Sequence, residues 1–185
     1  MHNIYEGSRK CYIQLNEIYF WTATIHNWEK ILNTDEDKNI IIDSLAFLSN
    51  NNIIDVFAFV IMPNHIHLIW RINSLNGKET AQGSLLKFTA HSLKKKLTQQ
   101  NDTRLNNFKV SAANKQYEFW QRDSLAIHLF TKQVAYQKLD YIHYNPCAER
   151  WQLVNDPCEY KYSSAKFYEL GIKEFDFLKD LREEF

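Results

Sequence analysis

Hydrophobic and polar residues follow two periods along this chain. Residues 18–25 (IYFWTATI) are β-branched and aromatic, residues 56–62 form an apolar run, and residues 65–72 alternate, so we predict three strands here. Pro63 and Asn64 are turn residues between the last two runs, which predicts a hairpin. Segments 117–120 and 125–129 predict one further strand or two short ones.

Three other segments carry apolar residues at helical spacing. The first helix begins at Thr34 or Asp35 and ends near Asn50, and the second covers roughly 80–99. The third runs from 132 to about 144 and ends before Pro146, because proline disfavours helical geometry at the preceding residue. In the second helix the predicted core stripe consists of Leu86, Ala90, Leu93 and Leu97. The order of elements predicts an α+β fold of the ferredoxin-like kind, an antiparallel sheet with helices packed on one face.

The strand 65–72 carries two histidines on one side. Alternate residues of a strand share a face, so His65 and His67 point away from Ile66, Leu68, Trp70 and Ile72. If the helices cover the apolar side, the histidine pair lies on the open face of the sheet, where a substrate can reach it. Two imidazoles can hold one metal ion, although histidine pairs also occur on strands without any metal.

The third helix supplies a second group of candidate residues. Tyr141 and Asn145 are four residues apart and therefore share a face, with Lys138 one turn earlier. A tyrosine hydroxyl, with a pKa near ~10, becomes a useful nucleophile when its target is polarised. Two imidazoles and the amide oxygen of Asn145 would hold a divalent ion with positions left open for a phosphate oxygen. Tyr144 is a competitor one turn away, and Asn145 before Pro146 is otherwise a helix-stop residue.

Composition narrows the class of protein. The 185 residues, 45% of them hydrophobic, suit a single domain over 1–185, in which about 130–185 carry the third helix and a C-terminal extension. Residues 1–12 lack the pattern of a signal peptide and no apolar run is long enough to span a membrane, so we expect no membrane partner. Three irregularly spaced cysteines indicate a reducing, cytoplasmic environment.

The net charge of the chain is zero, but the charged residues are unevenly distributed along the sequence. The 22 basic and 22 acidic residues cancel, while the region 87–104 is basic. Its lysines and arginine, together with two later cations, are the candidate phosphate contacts: Lys87, Lys94, Lys95, Lys96, Arg104, Arg122 and Lys138. Lysines beside tyrosine and tryptophan rings favour single-stranded over duplex nucleic acid, since unstacked bases can stack on the rings. A solvated helix face is the structural alternative for the lysine run.

Four segments together resemble the single-tyrosine HUH transposases, in particular the insertion-sequence and REP-associated tyrosine transposases. They are 62–69 (MPNHIHLI), 119–123 (FWQRD), 139–146 (LDYIHYNP) and 160–165 (YKYSSA), in the order of the family, so the resemblance covers nearly the whole chain. Many relatives have Gly-Leu or Gly-Ile soon after the Asn-Pro pair, whereas residues 147–151 here read CAERW. This departure leaves the chemical residues unchanged and alters the local loop and its DNA contacts.

The resemblance implies a metal-dependent nuclease and strand transferase that acts on single-stranded DNA, often at a hairpin. Tyr141 is then the nucleophile that forms a 5′-phosphotyrosine, His65 and His67 are ligands of Mg²⁺ or Mn²⁺, and Asn145 is the third ligand. Such a protein would be associated with the nucleoid. Relatives include homodimers that exchange the tyrosine helix and monomers in which it folds back.

Two other classes stay open at this point. One is a domesticated single-stranded-DNA-binding protein of the same fold without transposition activity. The other is a structural zinc site formed by the histidine pair with Cys147 or Cys158, which lack the paired spacing of zinc ribbons.

Overall fold

The computed structural model describes residues 13–112, 115–122 and 124–185. Segment 1–12 and Asp123 of the FWQRD segment, on which sequence predictions fall, lie outside these residues. In chain order the elements are β1 (Ile18–Thr24), α1 (Asp35–Asn50), β2 (Ile54–Met62), β3 (His65–Ile72), α2 (Ala81–Gln99), β4 (Lys109–Ala112), β5 (Lys115–Tyr117), β6 (Leu125–His128), α3 (Lys132–Tyr144) and α4 (Ala165–Leu170). The predicted α+β class is confirmed.

The main sheet has four antiparallel strands in the order β2-β3-β1-β6. The predicted hairpin joins β2 to β3, and its register places Met62 opposite His65 and Val60 opposite His67. On the face away from the histidines, the rings of Trp21 and Trp70 lie 4.8 Å apart and are fully buried. This face is the centre of the hydrophobic core.

Helices α1 and α2 pack on each other, and α1 packs on β2. The first helix starts with a capping box, in which Thr34 Oγ1 accepts a hydrogen bond from Asp37 N and the Asp37 carboxylate accepts one from Thr34 N. Each of these two hydrogen bonds satisfies a backbone N–H group that has no partner within the helix. The observed start therefore agrees with the sequence prediction.

The buried stripe of α2 differs from the predicted one. Leu93 and Leu97 are buried as expected, but Leu85 and Thr89 take the deepest positions, and Leu86 and Ala90 are only partly buried. Thr89 is tolerated in the core because its hydroxyl donates to the Leu85 carbonyl (2.8 Å) and accepts from Trp120 Nε1 (3.0 Å). The apolar pattern alone did not reveal this polar pairing.

Of the two segments predicted as one strand or two short ones, 125–129 contains β6, whereas 117–120 shares only Tyr117 with β5. Strand β5 pairs with β4 in a separate two-stranded ribbon, whereas β6 joins the main sheet beside β1. Strand β4 was not predicted, because its four residues, KVSA, are too few and too polar to show a period.

The C-terminal extension covers the outer edge of β2. Ile61 N donates to Tyr162 O (2.9 Å), Ser164 N donates to Phe59 O (3.0 Å) and Lys179 N donates to Val56 O (2.8 Å). These bonds satisfy backbone groups that an edge strand would otherwise expose. The extension is thus hydrogen-bonded to the main sheet along β2.

Helix α3 packs against β2 and β3, and its Tyr141 ring contacts Phe20 and His67. Helix α3 therefore lies on the histidine face of the sheet and covers part of that face. Among the helices that the structure describes, none combines the length and the apolar character needed to cross a membrane.

Candidate active site

Strand β3 places His65 and His67 side by side on one face. Their rings are 4.7 Å apart, and the two residues are only 4% and 5% exposed. The Tyr141 ring lies 5.2 Å from that of His67, and the Trp151 ring lies 5.7 Å from that of His65. The pair is therefore sheltered by α3 and the loop after it rather than displayed on an open sheet.

Asn64 fixes the orientation of His65. Its Nδ2 donates to the carbonyl of Trp28 (3.1 Å), so its Oδ1 faces His65 Nδ1 at 2.7 Å and accepts a hydrogen bond from it. His65 therefore carries its proton on Nδ1, which leaves a lone pair on Nε2. Such an outer hydrogen bond is the usual way in which proteins orient a histidine ligand.

His67 has the same arrangement with a different partner. Its Nδ1 lies 2.7 Å from Thr22 Oγ1, on the neighbouring strand β1. Its Nε2 is buried and, within the described ranges, has no hydrogen-bond partner, and the same is true of Asn145 Oδ1. A buried polar atom without a partner costs about 1–3 kcal/mol, so these two atoms require an explanation.

Burial keeps both imidazoles neutral. It lowers the pKa of His65 to about 4; the charge of Arg150 acts in the same direction, and the side chain of Asn145 opposes it. The pKa of His67 lies well below its usual value because of burial and the nearby His65, Arg150 and Lys138. A neutral imidazole is the form that binds metal.

The available donors fit a divalent metal. They are the Nε2 atoms of His65 and His67 and the Oδ1 atom of Asn145, a nitrogen and oxygen set that suits Mn²⁺ and, less well, Mg²⁺. No cluster of three or more histidine, cysteine or acidic side chains able to hold a metal occurs in the part of the chain that the structure describes. Cys147 and Cys158 thus do not complete a zinc site with the histidines.

Tyr141 lies near the end of α3, next to the histidine pair. It is 44% exposed, and its ring packs on Phe20 at 5.9 Å as well as on His67. Lys138 Nζ lies 5.7 Å from the centre of the Tyr141 ring and 5.0 Å from that of Phe20. Tyr144 is more exposed, at 60%, and lines only the neighbouring cavity with Asn145.

Two adjoining cavities of about 510 Å³ each lie beside these residues. The first is lined by both histidines and by Lys138, Tyr141, Arg150, Trp151, Trp28 and Thr22, and the second contains Tyr141, Tyr144, Asn145 and Arg150. Tyr141 and Arg150 line both. The two cavities therefore meet at Tyr141, the candidate nucleophile, and border the candidate metal ligands.

The structure of a REP-associated tyrosine transposase bound to a REP hairpin is similar to this chain over 95% of its residues and 93% of the other chain, with a TM-score of 0.64 and 16% identity. The chain has a tyrosine-transposase-like fold. A candidate transposase from Deinococcus radiodurans R1 matches 75% of this chain and 95% of its own, with 14% identity and a TM-score of 0.43. No protein-family profile and no curated protein sequence matches the chain.

In two of the segments on which the resemblance rests, the described residues support this transposase-like fold and do not line the histidine cavity. In the segment 119–123, Trp120 binds Thr89 of α2 and Phe119 stacks on Phe108 at 4.4 Å. In the segment 160–165, the Tyr160 hydroxyl donates to the Ile61 carbonyl, and Ser164 joins β2 to α3. The signal in these segments is therefore architectural.

The predicted phosphate-binding cations divide into those inside and outside the site. Only Lys138 lines the cavity of the histidine pair. Several of the others form ion pairs: Lys87 with Glu79 (2.5 Å), Lys96 with Asp37 (2.5 Å) and Glu36 (2.8 Å), Arg104 with Asp102 (2.6 Å), and Arg122 with Glu118 (3.0 Å). Lys94 lies over the Tyr117 ring, and Lys95 is exposed on α2.

Lys96 departs most from its predicted role. Its side chain is 12% exposed and is held between two acids of α1. It stabilises the packing of α2 on α1, which leaves it little freedom to contact a phosphate. The remaining cations on α2 stay predictions as DNA contacts.

Sequence reasoning missed Arg150, Trp151, Trp28 and the two residues that orient the histidines. Arg150 and Trp151 lie in the CAERW loop, and the unusual sequence of that loop is the one signal that could have drawn attention to them. Thr22 could not be found from sequence, since its contact with His67 depends on the register of β1 against β3.

Proposed function

We propose that this protein cleaves and rejoins single-stranded DNA through a covalent bond between Tyr141 and a backbone phosphate. The observation that carries the proposal is a pair of buried atoms beside Tyr141, His67 Nε2 and Asn145 Oδ1, that have no partner among the described residues. His65, His67 and Asn145 would hold Mg²⁺ or Mn²⁺. A metal bound there would supply Lewis-acid polarisation of a phosphate oxygen.

In the proposed reaction a backbone phosphate of DNA is transferred to Tyr141. The Tyr141 hydroxyl oxygen attacks phosphorus and the bond from phosphorus to the 3′ oxygen breaks. The tyrosine proton ends on the released 3′-hydroxyl, and the 5′-phosphate stays on Tyr141. Attack by the 3′-hydroxyl of another strand reverses these steps and joins the two strands.

Lys138 and Arg150 stabilise the charge that develops on the phosphate. Both line the histidine cavity, and neither forms an ion pair with an acid in the ranges that the structure covers. Preorganised cations of this kind lower the barrier for phosphoryl transfer.

Hairpin-bearing single-stranded DNA is the proposed substrate, and such a substrate would associate the protein with the nucleoid. The similar transposase is bound to a REP hairpin. Tyr141 packs on a histidine of its own chain, which supports cleavage in cis. A homodimer that exchanges α3 is the alternative arrangement, and gel filtration with and without DNA distinguishes the two.

The test uses single-stranded oligonucleotides that tile both strands of the DNA flanking the gene, incubated with Mn²⁺. We expect a covalent protein–DNA adduct on denaturing gels with the wild type and with Tyr144→Phe, and none with Tyr141→Phe. An adduct with Tyr141→Phe would move the nucleophile to Tyr144 or Tyr136. No adduct with the wild type would favour the single-strand-binding protein.

A further inference from the structure

Two tryptophans line the cavity next to His65. Trp28 is 60% exposed, and its backbone is in the left-handed region, with φ of 58°. Bulky residues rarely adopt this conformation. Asn64 holds the Trp28 carbonyl with the same amide that orients His65, so the exposed indole is anchored to the histidine pair.

Trp151 lines the other part of this cavity. Its ring lies 5.7 Å from that of His65, and Lys30 Nζ lies 5.4 Å from the centre of the indole. Trp151 Nε1 is buried, and the described chain provides no acceptor for its hydrogen. An unsatisfied buried indole N–H beside a cavity is a candidate donor to an acceptor on a ligand.

Cationic groups complete the cavity. Arg150 is exposed and Lys138 is half-buried, and the ion pairs that the structure records involve neither of them. The cavity thus combines indole surface, a free N–H donor and positive charge. A nucleotide has the matching parts, namely a flat base with hydrogen-bond acceptors and an anionic phosphate.

We infer that this cavity binds one unstacked nucleotide of single-stranded DNA adjoining the phosphate that Tyr141 attacks. The base contacts the indoles of Trp28 and Trp151 and accepts a hydrogen bond from Trp151 Nε1, while its phosphate contacts Arg150. The inference rests on the proposed function and deepens it, because it states that the protein selects a strand whose base is unpaired beside the cleavage point.

Equilibrium binding to the metal-free full chain tests this inference. The probes are a fluorescein-labelled oligothymidylate of about twelve nucleotides, within the range of single-strand site sizes, and a strand of the same length with abasic residues throughout. Both carry the same charge. We expect the wild type to bind the oligothymidylate about tenfold more tightly, as stacking of a base on an aromatic side chain predicts.

The variants separate the contributions of ring, donor and charge. Trp28→Ala and Trp151→Leu are each expected to reduce the preference for bases to about threefold or less. Trp151→Phe retains a ring without the N–H and should lie between wild type and Trp151→Leu. Arg150→Gln should weaken binding of both probes equally. Phe47→Ala, which removes an exposed aromatic residue of α1 outside the cavity, should leave the preference unchanged.

Equal binding of the two probes by the wild type, or no measurable binding of either, would overturn the inference. A preference that survives in both Trp28→Ala and Trp151→Leu would do so as well. Thermal melts monitored by circular dichroism identify any variant that fails to fold, and Trp151→Phe then replaces Trp151→Leu. Because these titrations involve no cleavage, their outcome is independent of whether Tyr141 forms the adduct.

Discussion

His67 differs from His143 in one respect that burial does not reveal. Burial lowers the pKa of both His65 and His143 to about 4, and all three histidines are at most 5% exposed. His143 Nε2 lies 2.9 Å from Ser164 Oγ, which also accepts a hydrogen bond from Phe59 N. His67 Nε2 has no such partner among the described residues.

The same contrast separates two buried asparagines. Asn64 uses both ends of its amide, with Oδ1 accepting from His65 and Nδ2 donating to the Trp28 carbonyl. Asn145 leaves Oδ1 without a partner in the parts of the chain described. Satisfied buried polar groups stabilise one packed structure, whereas an unsatisfied one beside a cavity is a candidate for chemistry.

The largest expected difference between the two histidine sites is in activity. His67→Ala should reduce formation of the covalent adduct by more than about a hundredfold, because loss of the proposed metal ligand should exceed the ~10–100-fold cost of losing an outer hydrogen-bond partner. His143→Ala should change the rate per folded molecule by less than about threefold, since His143 lies outside the cavities. Single-turnover assays on denaturing gels measure both. Similar losses in the two variants would remove the distinction between the sites.

The expected losses in the free energy of unfolding have the opposite order, larger for His143→Ala than for His67→Ala. His143→Ala removes the hydrogen bond to Ser164 and leaves a cavity between α3 and β2, so we expect a loss of about 2–3 kcal/mol in the free energy of unfolding. His67→Ala should cost less, because it removes a polar atom that has no partner in the described part of the chain and extends a cavity that already exists. Urea denaturation followed by tryptophan fluorescence measures both values. A larger loss for His67→Ala would contradict the assignment of His143 as the structural residue.

Metal affinity gives a finer test of the histidine pair. Thr22→Val preserves the shape of the side chain and removes the partner of His67 Nδ1, so binding of Mn²⁺ should weaken by ~10–100-fold. Thr24→Val is the matched control, because Thr24 lies two residues farther along the same face of β1 and lines the same cavity. Isothermal titration calorimetry measures the affinities. An equal effect of the two substitutions would mean that Thr22 does not orient His67 for metal binding.

Much of the fold could be predicted from the chain because its elements are long and strongly periodic. The third helix and the strand with the histidines have the predicted bounds, Lys132–Tyr144 and His65–Ile72. Strand β4 and the extension along β2 could not be predicted, since short or irregular segments are positioned by tertiary hydrogen bonds rather than by a period of their own.

The candidate site likewise contains residues that could be predicted from the sequence and residues that could not. The motif around His65 and the spacing of Tyr141 and Asn145 could be recognised in the sequence. The structure places Tyr141 beside His67, and Asn145 beside His65 and in one cavity with Tyr141. Local sequence could not distinguish cations that line the candidate site from those that pair with acids elsewhere. Lys96 illustrates this, since its partner Asp37 lies 59 residues away in the chain.

Asp55 is a buried charged residue whose carboxylate has partners, in contrast to His67 Nε2. Its substitution has the smallest expected effect of those considered. It is 5% exposed, and its carboxylate binds Arg71 Nη2 (2.7 Å) and Lys179 Nζ (2.6 Å). Burial alone would raise the pKa of Asp55, but Lys179 and Arg71 outweigh it and hold the pKa below its usual value. Asp55→Asn should therefore lower the free energy of unfolding by about 1–2 kcal/mol near neutral pH.

The pH dependence identifies the source of this loss. A carboxyl whose pKa is lower in the folded than in the unfolded protein contributes stability above the unfolded pKa, about 3.9, and loses it as the pH falls through the folded pKa. The difference between wild type and Asp55→Asn should thus be constant above about pH 5 and vanish below the folded pKa. Glu184→Gln, which affects only the more exposed partner of Arg71, should cost less than about 1 kcal/mol throughout. A wild-type advantage that persists in acid would show that Asp55 stabilises the fold through packing rather than charge.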